Sequence, residues 1–355
     1  MNRKNKKDKS DRKIQSDPPT PIRPWMKDPQ GNNIYIKRED EYGFMRGFPV
    51  SGSKVRIAQK LMEDCMSAGC DTVVAAGSPQ SNMCSAIAYF AQKNGLSSYI
   101  VEVVRSRSEH KTLNHRLAEE FGAVYYYCYR YETAKIIKGL IRGLREEKRH
   151  PYLVYGDPYG KGNRDIIMQP YMEVYEEILQ QQRDLGLHFD YIFIGAGTGV
   201  SMAGLVAAAG GAVDRIIGIC IAHDAERTLI DVQNCLLQKN LFINDRNIHL
   251  SEEALVGGYG HTSKEIIQLI EEVFQKTGVR LDPVYTGKVF YGMKKYIKDK
   301  NIRNANILFI HTGGLANYFD YAIENGLYTR DILWRKGVSC ADLYRSFAEE
   351  QKEAA

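Results

Sequence analysis

The stretch Tyr191-Ile-Phe-Ile-Gly-Ala-Gly-Thr-Gly-Val-Ser201 decides the fold class that this sequence predicts. Its first four residues form a short apolar run, which predicts a buried strand, and Ser201–Ala209 predicts the helix that follows. The glycines between them let the backbone wrap closely around a ligand, and a helix N-terminus presents unpaired N–H groups. The turn therefore predicts an anion site, with phosphate as the expected ligand. An ordinary strand-to-helix turn is the alternative, and a nicotinamide site fits less well because the GxGxxG spacing is absent.

Short apolar runs alternate with longer helical patterns on both sides of this stretch, which predicts an α/β fold with mainly parallel sheets flanked by helices. Strands are predicted at Asn33–Lys37, Thr72–Ala76, Ser98–Val103, Ala123–Cys128, Tyr191–Ile194, Ile216–Ile221 and Ile307–Ile310. Helices are predicted at Val55–Met66, Asn82–Gln92, Thr112–Phe121, Glu132–Glu146, Ile167–Gln182, Ser201–Ala209, Glu265–Thr277 and Gly287–Lys298. In parallel sheets, ligands bind beyond the carboxyl ends of the strands. That rule selects three turns, Gly77–Asn82, Gly195–Ser201 and His311–Gly314.

Polar residues in two of these turns, and one lysine, are further candidates for chemistry. Ser78, Gln80, Ser81 and Asn82 concentrate at a predicted helix start, where one of them could cap the helix while others bind a carboxylate. Lys54 also opens a helix. A lysine at such a place is ordinarily solvated, but a desolvated amine becomes a nucleophile.

Composition and charge restrict the class of protein. The chain has 355 residues, of which 44% are hydrophobic and 26% charged, as in soluble proteins of one or two domains. No apolar run reaches the roughly 18 residues that span a bilayer, and the N-terminus lacks the apolar stretch of a secretion signal. We therefore expect a cytoplasmic protein without a membrane partner. The seven cysteines include no CxxC pair, so neither a disulfide framework nor a metal site is expected.

The basic segment Met1–Lys13 supplies much of the net charge of +5. Such a segment could contact nucleic acid or anionic lipid. It contains few apolar residues to bury, so a disordered tail is the preferred interpretation and no nucleic-acid partner is expected.

Several segments together resemble the fold-type-II pyridoxal-phosphate (PLP) enzymes, specifically the branch of D-cysteine desulfhydrase and 1-aminocyclopropane-1-carboxylate deaminase. The resemblance runs from about Thr20 to Tyr318, and each segment alone would be weak evidence. The matching segments are Ile36-Lys-Arg-Glu-Asp40, Gly52-Ser-Lys-Val-Arg56, Gln80-Ser-Asn82, Gly197–Gly204, Tyr259-Gly260, Leu281-Asp-Pro-Val-Tyr-Thr-Gly-Lys288 and His311-Thr-Gly-Gly314.

The resemblance implies a role for each matching residue. Lys54 would carry PLP as a Schiff base and act with Ser81, Tyr259 and Tyr285 in catalysis. Asn82 would bind the ring hydroxyl of the cofactor, and Thr312 would face the pyridine nitrogen. The phosphate would lie in the turn formed by Gly197, Thr198, Gly199, Val200 and Ser201. The substrate carboxylate would bind Ser78, Gln80 and Ser81, and the protein would be a homodimer.

The resemblance also implies a two-domain layout. Residues 18–54 and 159–330 would form a large PLP-binding domain, and residues 55–158 a small domain inserted into it. Residues 1–17 would be a disordered basic tail and residues 331–355 a C-terminal helical tail. Departures from the family pattern concern mainly the substrate side, and include His261 after Tyr259-Gly260 and the segment Gly156–Asn163.

From these features we expect a lyase that removes a leaving group and ammonia from a small amino acid, as D-cysteine desulfhydrase does. The deaminases usually carry Glu after the DPVY tyrosine and Leu before the final Gly-Gly, where this chain has Thr286 and Thr312. An uncharged hydroxyl at the ring nitrogen favours β-elimination. The alternatives are a deaminase of the cyclopropane amino acid, a cysteate sulfo-lyase in which His261 or Lys161 binds the sulfonate, and a non-catalytic PLP-binding protein.

Overall fold

The computed structural model describes residues 18–43, 52–105, 111–157, 162–210 and 215–326, and these form two sheets flanked by helices. The strands are β1 Ile22–Lys27, β2 Asn33–Lys37, β3 Thr72–Gly77, β4 Ser97–Val103, β5 Val124–Cys128, β6 Pro151–Leu153, β7 Tyr191–Ala196, β8 Ile216–Cys220, β9 His249–Ser251 and β10 Asn306–Ile310. The helices are α1 Ser53–Ser67, α2 Asn82–Asn94, α3 Leu113–Glu120, α4 Thr133–Glu146, α5 Arg164–Leu185, α6 Val200–Ala209, α7 Ala225–Gln238, α8 Lys264–Thr277, α9 Thr286–Asp299 and α10 Leu315–Glu324.

The larger sheet has the strand order β1-β2-β10-β7-β8-β9. Its strands pair in parallel, apart from the antiparallel pair β1 and β2. The central strand β10 is buried on both faces, with Ile307, Leu308 and Phe309 each 0% exposed, which explains its continuous apolar run. Because β7, β8 and β10 are parallel, the turns that follow them meet at one edge of the sheet.

The smaller sheet is wholly parallel, with the order β5-β4-β3-β6. All of its strands fall within residues 55–158, the segment predicted to form the small domain, although the division into domains stays a prediction. The turn after β3 is the predicted Gly77–Asn82 turn, and it leads directly into α2. This sheet therefore brings a second set of polar turn residues to a strand edge.

Helix α1 begins against the turn that follows β10. Ser53 donates its backbone N–H to the carbonyl of Thr312 at 3.1 Å. Gly52 has φ +95°, and a Cβ there would lie 2.5 Å from the same carbonyl oxygen, so a larger residue would force the two segments apart. This close approach places Lys54, one residue further on, next to Thr312 and Gly313.

A buried group of charges attaches α1 to the larger sheet. Arg56 on α1 donates to Glu39 through Nε (2.7 Å) and Nη2 (3.0 Å), and its Nη1 lies 2.9 Å from Glu177 on α5. Lys37 at the end of β2 donates to Glu177 at 2.6 Å. Burial alone lowers the pKa of Arg56, but the two adjacent carboxylates raise it above its ordinary value. The network fixes α1, the helix that carries Lys54, against α5 and the end of β2.

The structure confirms the α/β fold and the elements predicted from apolar periodicity, and it adds five that were not predicted. These are β1, β6, β9, α7 and α10. Strand β1 contains Pro24 and an irregular register next to it, which is tolerated because β1 is an edge strand. Strands β6 and β9 have only three residues each, too few to show a periodic pattern.

Some predictions fall outside the described residues. They concern the tails at residues 1–17 and 331–355 and Lys161 within the Gly156–Asn163 segment. Within the described ranges, no helix combines the length and the apolar character needed to cross a bilayer.

Candidate active site

A cavity of about 430 Å³ opens where the carboxyl ends of the two sheets face each other. Its walls come from the turn after β3, the turns after β7, β8 and β10, and the first residues of α1. This is the place at which parallel sheets bind ligands. The cavity joins the three turns that the sequence singled out.

Lys54 lines this cavity, and burial lowers its pKa from 10.5 to about 8. Among the described residues, no carboxylate or carbonyl accepts a hydrogen bond from its Nζ. A partly desolvated amine without an ion-pair partner has a substantial neutral fraction near physiological pH. Only the neutral amine is nucleophilic, so Lys54 is suited to forming a covalent bond to an aldehyde.

The turn after β7 contributes Gly197, Thr198, Gly199, Val200 and Ser201 to the cavity wall. Helix α6 begins here after Gly199, which has φ 73° and no side chain that caps the helix. Its first N–H groups therefore remain available to an anion. A Cβ at Gly199 would lie 2.8 Å from Cγ2 of Val232, so glycine is required for the turn to pack against α7.

The turn after β3 contributes Ser78, Ser81 and Asn82 to the opposite wall. Ser81 caps α2, because its Oγ accepts the backbone N–H of Cys84 at 3.3 Å. Its hydroxyl proton is still free to be donated to a ligand, so capping and binding are compatible. Gln80, also predicted to bind substrate, does not line the cavity; its Oε1 lies 3.4 Å from the position of a Cβ on Gly260.

A chain of hydroxyl groups crosses the substrate side of the cavity. Tyr259 Oη lies 3.3 Å from Ser78 Oγ and 2.7 Å from Tyr285 Oη. Burial raises the pKa of both tyrosines, so both stay protonated at physiological pH. The chain connects the turn after β3 with the start of α9 and can supply or relay a proton.

Asp282 holds Tyr285 in place. The carboxylate is 1% exposed and accepts the backbone N–H groups of Val284, Tyr285 and Thr286 at 2.8–2.9 Å. The side chain of Thr286 donates to the same carboxylate at 2.7 Å and is itself 0% exposed. Thr286 does not line the cavity, so its hydroxyl serves the turn before α9. It therefore gives no support to the choice of elimination over ring opening, although Thr312 does line the cavity.

Three further polar residues of the lining were not predicted from the sequence. Tyr155 follows β6, Arg130 follows β5 and His223 follows β8. All three residues follow strand ends, which is a feature that could have indicated them from the sequence. Tyr155 was missed because β6 was not predicted, and Arg130 and His223 were missed because neither belongs to a recognisable motif. His261, one of the two residues expected to bind a sulfonate, is exposed and does not line the cavity.

Lys288 supports the site from behind. It is 0% exposed, and its Nζ donates to the carbonyls of Ile221 (3.0 Å) and Gly258 (2.9 Å). Burial lowers its pKa to about 8, against the opposing effect of Asp282. Each carbonyl lies directly before lining residues, so this lysine fixes two of the segments that form the cavity.

The lining residues fit PLP in two independent respects. A lysine with a lowered pKa is placed to bind an aldehyde, and an uncapped helix N-terminus is placed to bind a phosphate. The sequence profile of the family described as "Pyridoxal-phosphate dependent enzyme" matches residues 15–313. The chain belongs to this family. PLP is accordingly its cofactor.

Similar proteins narrow the branch of the family. An Arabidopsis thaliana protein named "Bifunctional D-cysteine desulfhydrase/1-aminocyclopropane-1-carboxylate deaminase, mitochondrial" is 31% identical over 85% of this chain and 78% of its own length. A "1-aminocyclopropane-1-carboxylate deaminase" of Bradyrhizobium sp. (strain BTAi1) is 26% identical over 82% of this chain and 90% of its own. A solved structure titled "Crystal Structure Analysis of the ACC deaminase homologue" has a TM-score of 0.71 and 28% identity, covering 86% of this chain and 92% of that one. The enzyme is thus of the deaminase and desulfhydrase type.

Proposed function

We propose that this PLP enzyme is a lyase that releases ammonia and a keto acid from a small amino acid. The observation that carries the proposal is that Lys54, with its lowered pKa, lines the same cavity as the Ser78–Tyr259–Tyr285 hydroxyl chain. An amine and a chain of hydroxyl groups that face the same substrate suit a reaction in which a proton is removed from one substrate atom and a proton is added to another. Both reactions known from the relatives' names are of this kind.

Each residue of the cavity would have a separate role in binding or catalysis. Bound PLP would withdraw electrons from the α-carbon of the substrate. Thr198 and Ser201, with the α6 N-terminus, would hold the phosphate, and Lys54 would hold the cofactor covalently until substrate replaces it. The free Lys54 amine would then take a proton from the substrate. This would be the α-proton in an elimination, and a ring-methylene proton in the cyclopropane amino acid, whose α-carbon carries no hydrogen. Ser81 and Ser78 would bind the substrate carboxylate, and Tyr285 would donate or accept a proton on the distal side.

Three candidate substrates are supported by different observations. The names of the similar proteins favour 1-aminocyclopropane-1-carboxylate, whose ring opening yields a four-carbon keto acid, over the desulfhydrase reaction expected from the sequence. Thr312 supports elimination from cysteine, because it supplies a neutral hydroxyl and no carboxylate belongs to the described part of the cavity lining. Cysteate is a third candidate, since Arg130 and His223 line the cavity and could donate hydrogen bonds to a sulfonate.

The attachment site can be tested directly, with a second lysine as the control. The purified protein should be yellow, and borohydride reduction should fix a pyridoxyl mass on the peptide that contains Lys54. Lys288 also has a pKa lowered to about 8, but it is 0% exposed and already donates to two carbonyls. Modification of Lys288 in place of Lys54, or a colourless protein, would contradict the proposal.

The substrate is tested by the length of the keto acid released. The enzyme is incubated with 1-aminocyclopropane-1-carboxylate, both enantiomers of cysteine, chloroalanine and cysteate, and ammonia and keto acids are measured. A four-carbon keto acid identifies ring opening, and a three-carbon one identifies elimination. If amino acids change neither the visible spectrum nor the products, the protein is a PLP binder and not a lyase. A cytoplasmic location and a homodimer remain further predictions.

A further inference from the structure

A buried amide outside the cavity fixes the orientation of Asn82. Asn114 on α3 is 1% exposed, and its Nδ2 donates to Oδ1 of Asn82 at 2.8 Å. The same Nδ2 lies 3.3 Å from the backbone carbonyl of Gln80 and 3.4 Å from Oδ1 of Asn317. Asn114 does not line the cavity and belongs to none of the motifs that indicated the family.

The orientation of the Asn114 amide is itself determined by its neighbours. Ser85 Oγ, which is fully buried, lies 2.7 Å from Oδ1 of Asn114 and 3.2 Å from the backbone carbonyl of Asn82. The carbonyl of Gln80 can only accept a hydrogen bond, so the NH2 end of Asn114 must face it. A flipped amide would instead direct the Asn114 oxygen at that carbonyl oxygen. The donor end of Asn114 is therefore held towards Asn82.

This arrangement leaves one end of Asn82 for the cavity. Its Oδ1 is occupied by Asn114, and its Nδ2 has no acceptor among the described residues. Asn82 lines the cavity at the first position of α2. An amide held in this way offers a hydrogen-bond donor, and not an acceptor, to a ligand.

We propose that Asn114 is a positioning residue, which fixes the Asn82 amide so that its N–H groups face the ring oxygen of PLP. The inference rests on the proposed function, in which Asn82 binds that oxygen. A donor at this oxygen shares its negative charge and weakens its hold on the proton of the nitrogen that links PLP to Lys54. The amide orientation thereby adjusts the acidity of that nitrogen.

The substitution Asn114→Asp tests this, because it keeps the size and the acceptor for Ser85 but removes the donor to Asn82. The Asn82 amide should then turn its NH2 towards the new carboxylate and its oxygen towards PLP. In the PLP-loaded protein, the pH midpoint of the visible absorption change should rise by about one unit or more, and PLP should dissociate about 10- to 100-fold more readily. Asn114→Ala should shift the midpoint in the same direction but by less. It introduces no buried carboxylate, so it still tests the inference if the Asn114→Asp protein does not fold.

The decisive comparison adds Asn82→Ala. That variant alone should shift the midpoint, and adding Asn114→Asp to it should give no further shift, because Asn114 acts through Asn82. A purely structural role would lower the melting temperature without moving the midpoint. If Asn82→Ala shifts the midpoint and both Asn114 variants do not, the positioning role is wrong while the proposed function stands. If Asn82→Ala has no effect, the contact between Asn82 and PLP is wrong, and the inference fails with it.

Discussion

The lowered pKa of Lys54 leads to a quantitative prediction about its reactivity. With a pKa of about 8, as burial gives it, about 20% of the amine is neutral at pH 7.4. A lysine at the ordinary value of 10.5 would be less than about 0.1% neutral at that pH. The structure therefore predicts a roughly 250-fold larger reactive fraction than an unburied lysine would have. Because the pKa is lowered, reactivity should rise with pH only up to about 8 and then level off.

Competitive labelling with trace acetic anhydride measures this fraction for each lysine. The cofactor-free protein is labelled from pH 6 to 11, and the modified peptides are quantified by mass spectrometry. Lys60 lies on the same helix with a side chain that is 40% exposed, so it serves as the reference. The labelling curve of Lys54 should reach its half-maximum near pH 8, and PLP should protect Lys54 but not Lys60.

Two results would refute the reasoning. Labelling of Lys54 that increases about tenfold per pH unit up to about pH 10 would mean that the cavity does not desolvate its amine. Labelling that is unaffected by PLP would mean that the cofactor does not reach it. Full protection together with an ordinary pH curve would leave the site in place, but desolvation could then no longer be the source of its nucleophilicity.

The remaining predictions concern the phosphate turn and the buried charges. Thr198→Asp should weaken PLP binding about 10- to 100-fold relative to Thr198→Asn, which introduces a side chain of the same size without the charge. A single negative charge about 6 Å from a phosphate dianion costs about 1.5–3 kcal/mol at an effective dielectric constant of about 40–80. Equal dissociation constants in equilibrium dialysis would place the phosphate elsewhere. Glu39→Gln should destabilise the protein by about 3 kcal/mol and lower its melting temperature by about 3–6 °C, because it leaves Arg56 partly unpaired. Glu63→Gln, in an exposed pair, is the control and should change it by less than about 2 °C, and equal effects of the two substitutions would argue against the network.

All residues predicted for the cofactor side line the cavity, whereas Gln80, predicted for the substrate side, does not. Lys54, Asn82 and the Gly197–Ser201 turn all belong to local patterns, since each depends on a strand end, a glycine turn or a helix start. Such features are determined by neighbouring residues in the chain, so a sequence can show them. The structure places all of them in one cavity, and their roles towards PLP remain proposals.

The substrate side depends on contacts between distant residues. Thr286 lies in a recognisable motif, yet its hydroxyl is used by Asp282 and not by the cavity. Gln80 lies within a matching segment, but its side chain is placed outside the cavity lining, near Gly260. In both cases the motif gives the position in the chain, whereas packing against another element determines which way the side chain points.

By itself, the sequence determined the α/β fold, the PLP family and the residues that carry its local motifs. The fold could be predicted because apolar periodicity, glycine turns and helix starts are properties of short segments, and the family was indicated by the resemblance of several such segments to its known members. Only the tertiary structure decided that Lys54 is desolvated and that Arg130 and His223 enter the cavity. It also decided that Asn114, 32 residues from Asn82 in the chain, fixes the orientation of that amide. Burial, electrostatic environment and hydrogen-bond direction depend on which elements meet in space, and no short segment of this chain contains that information.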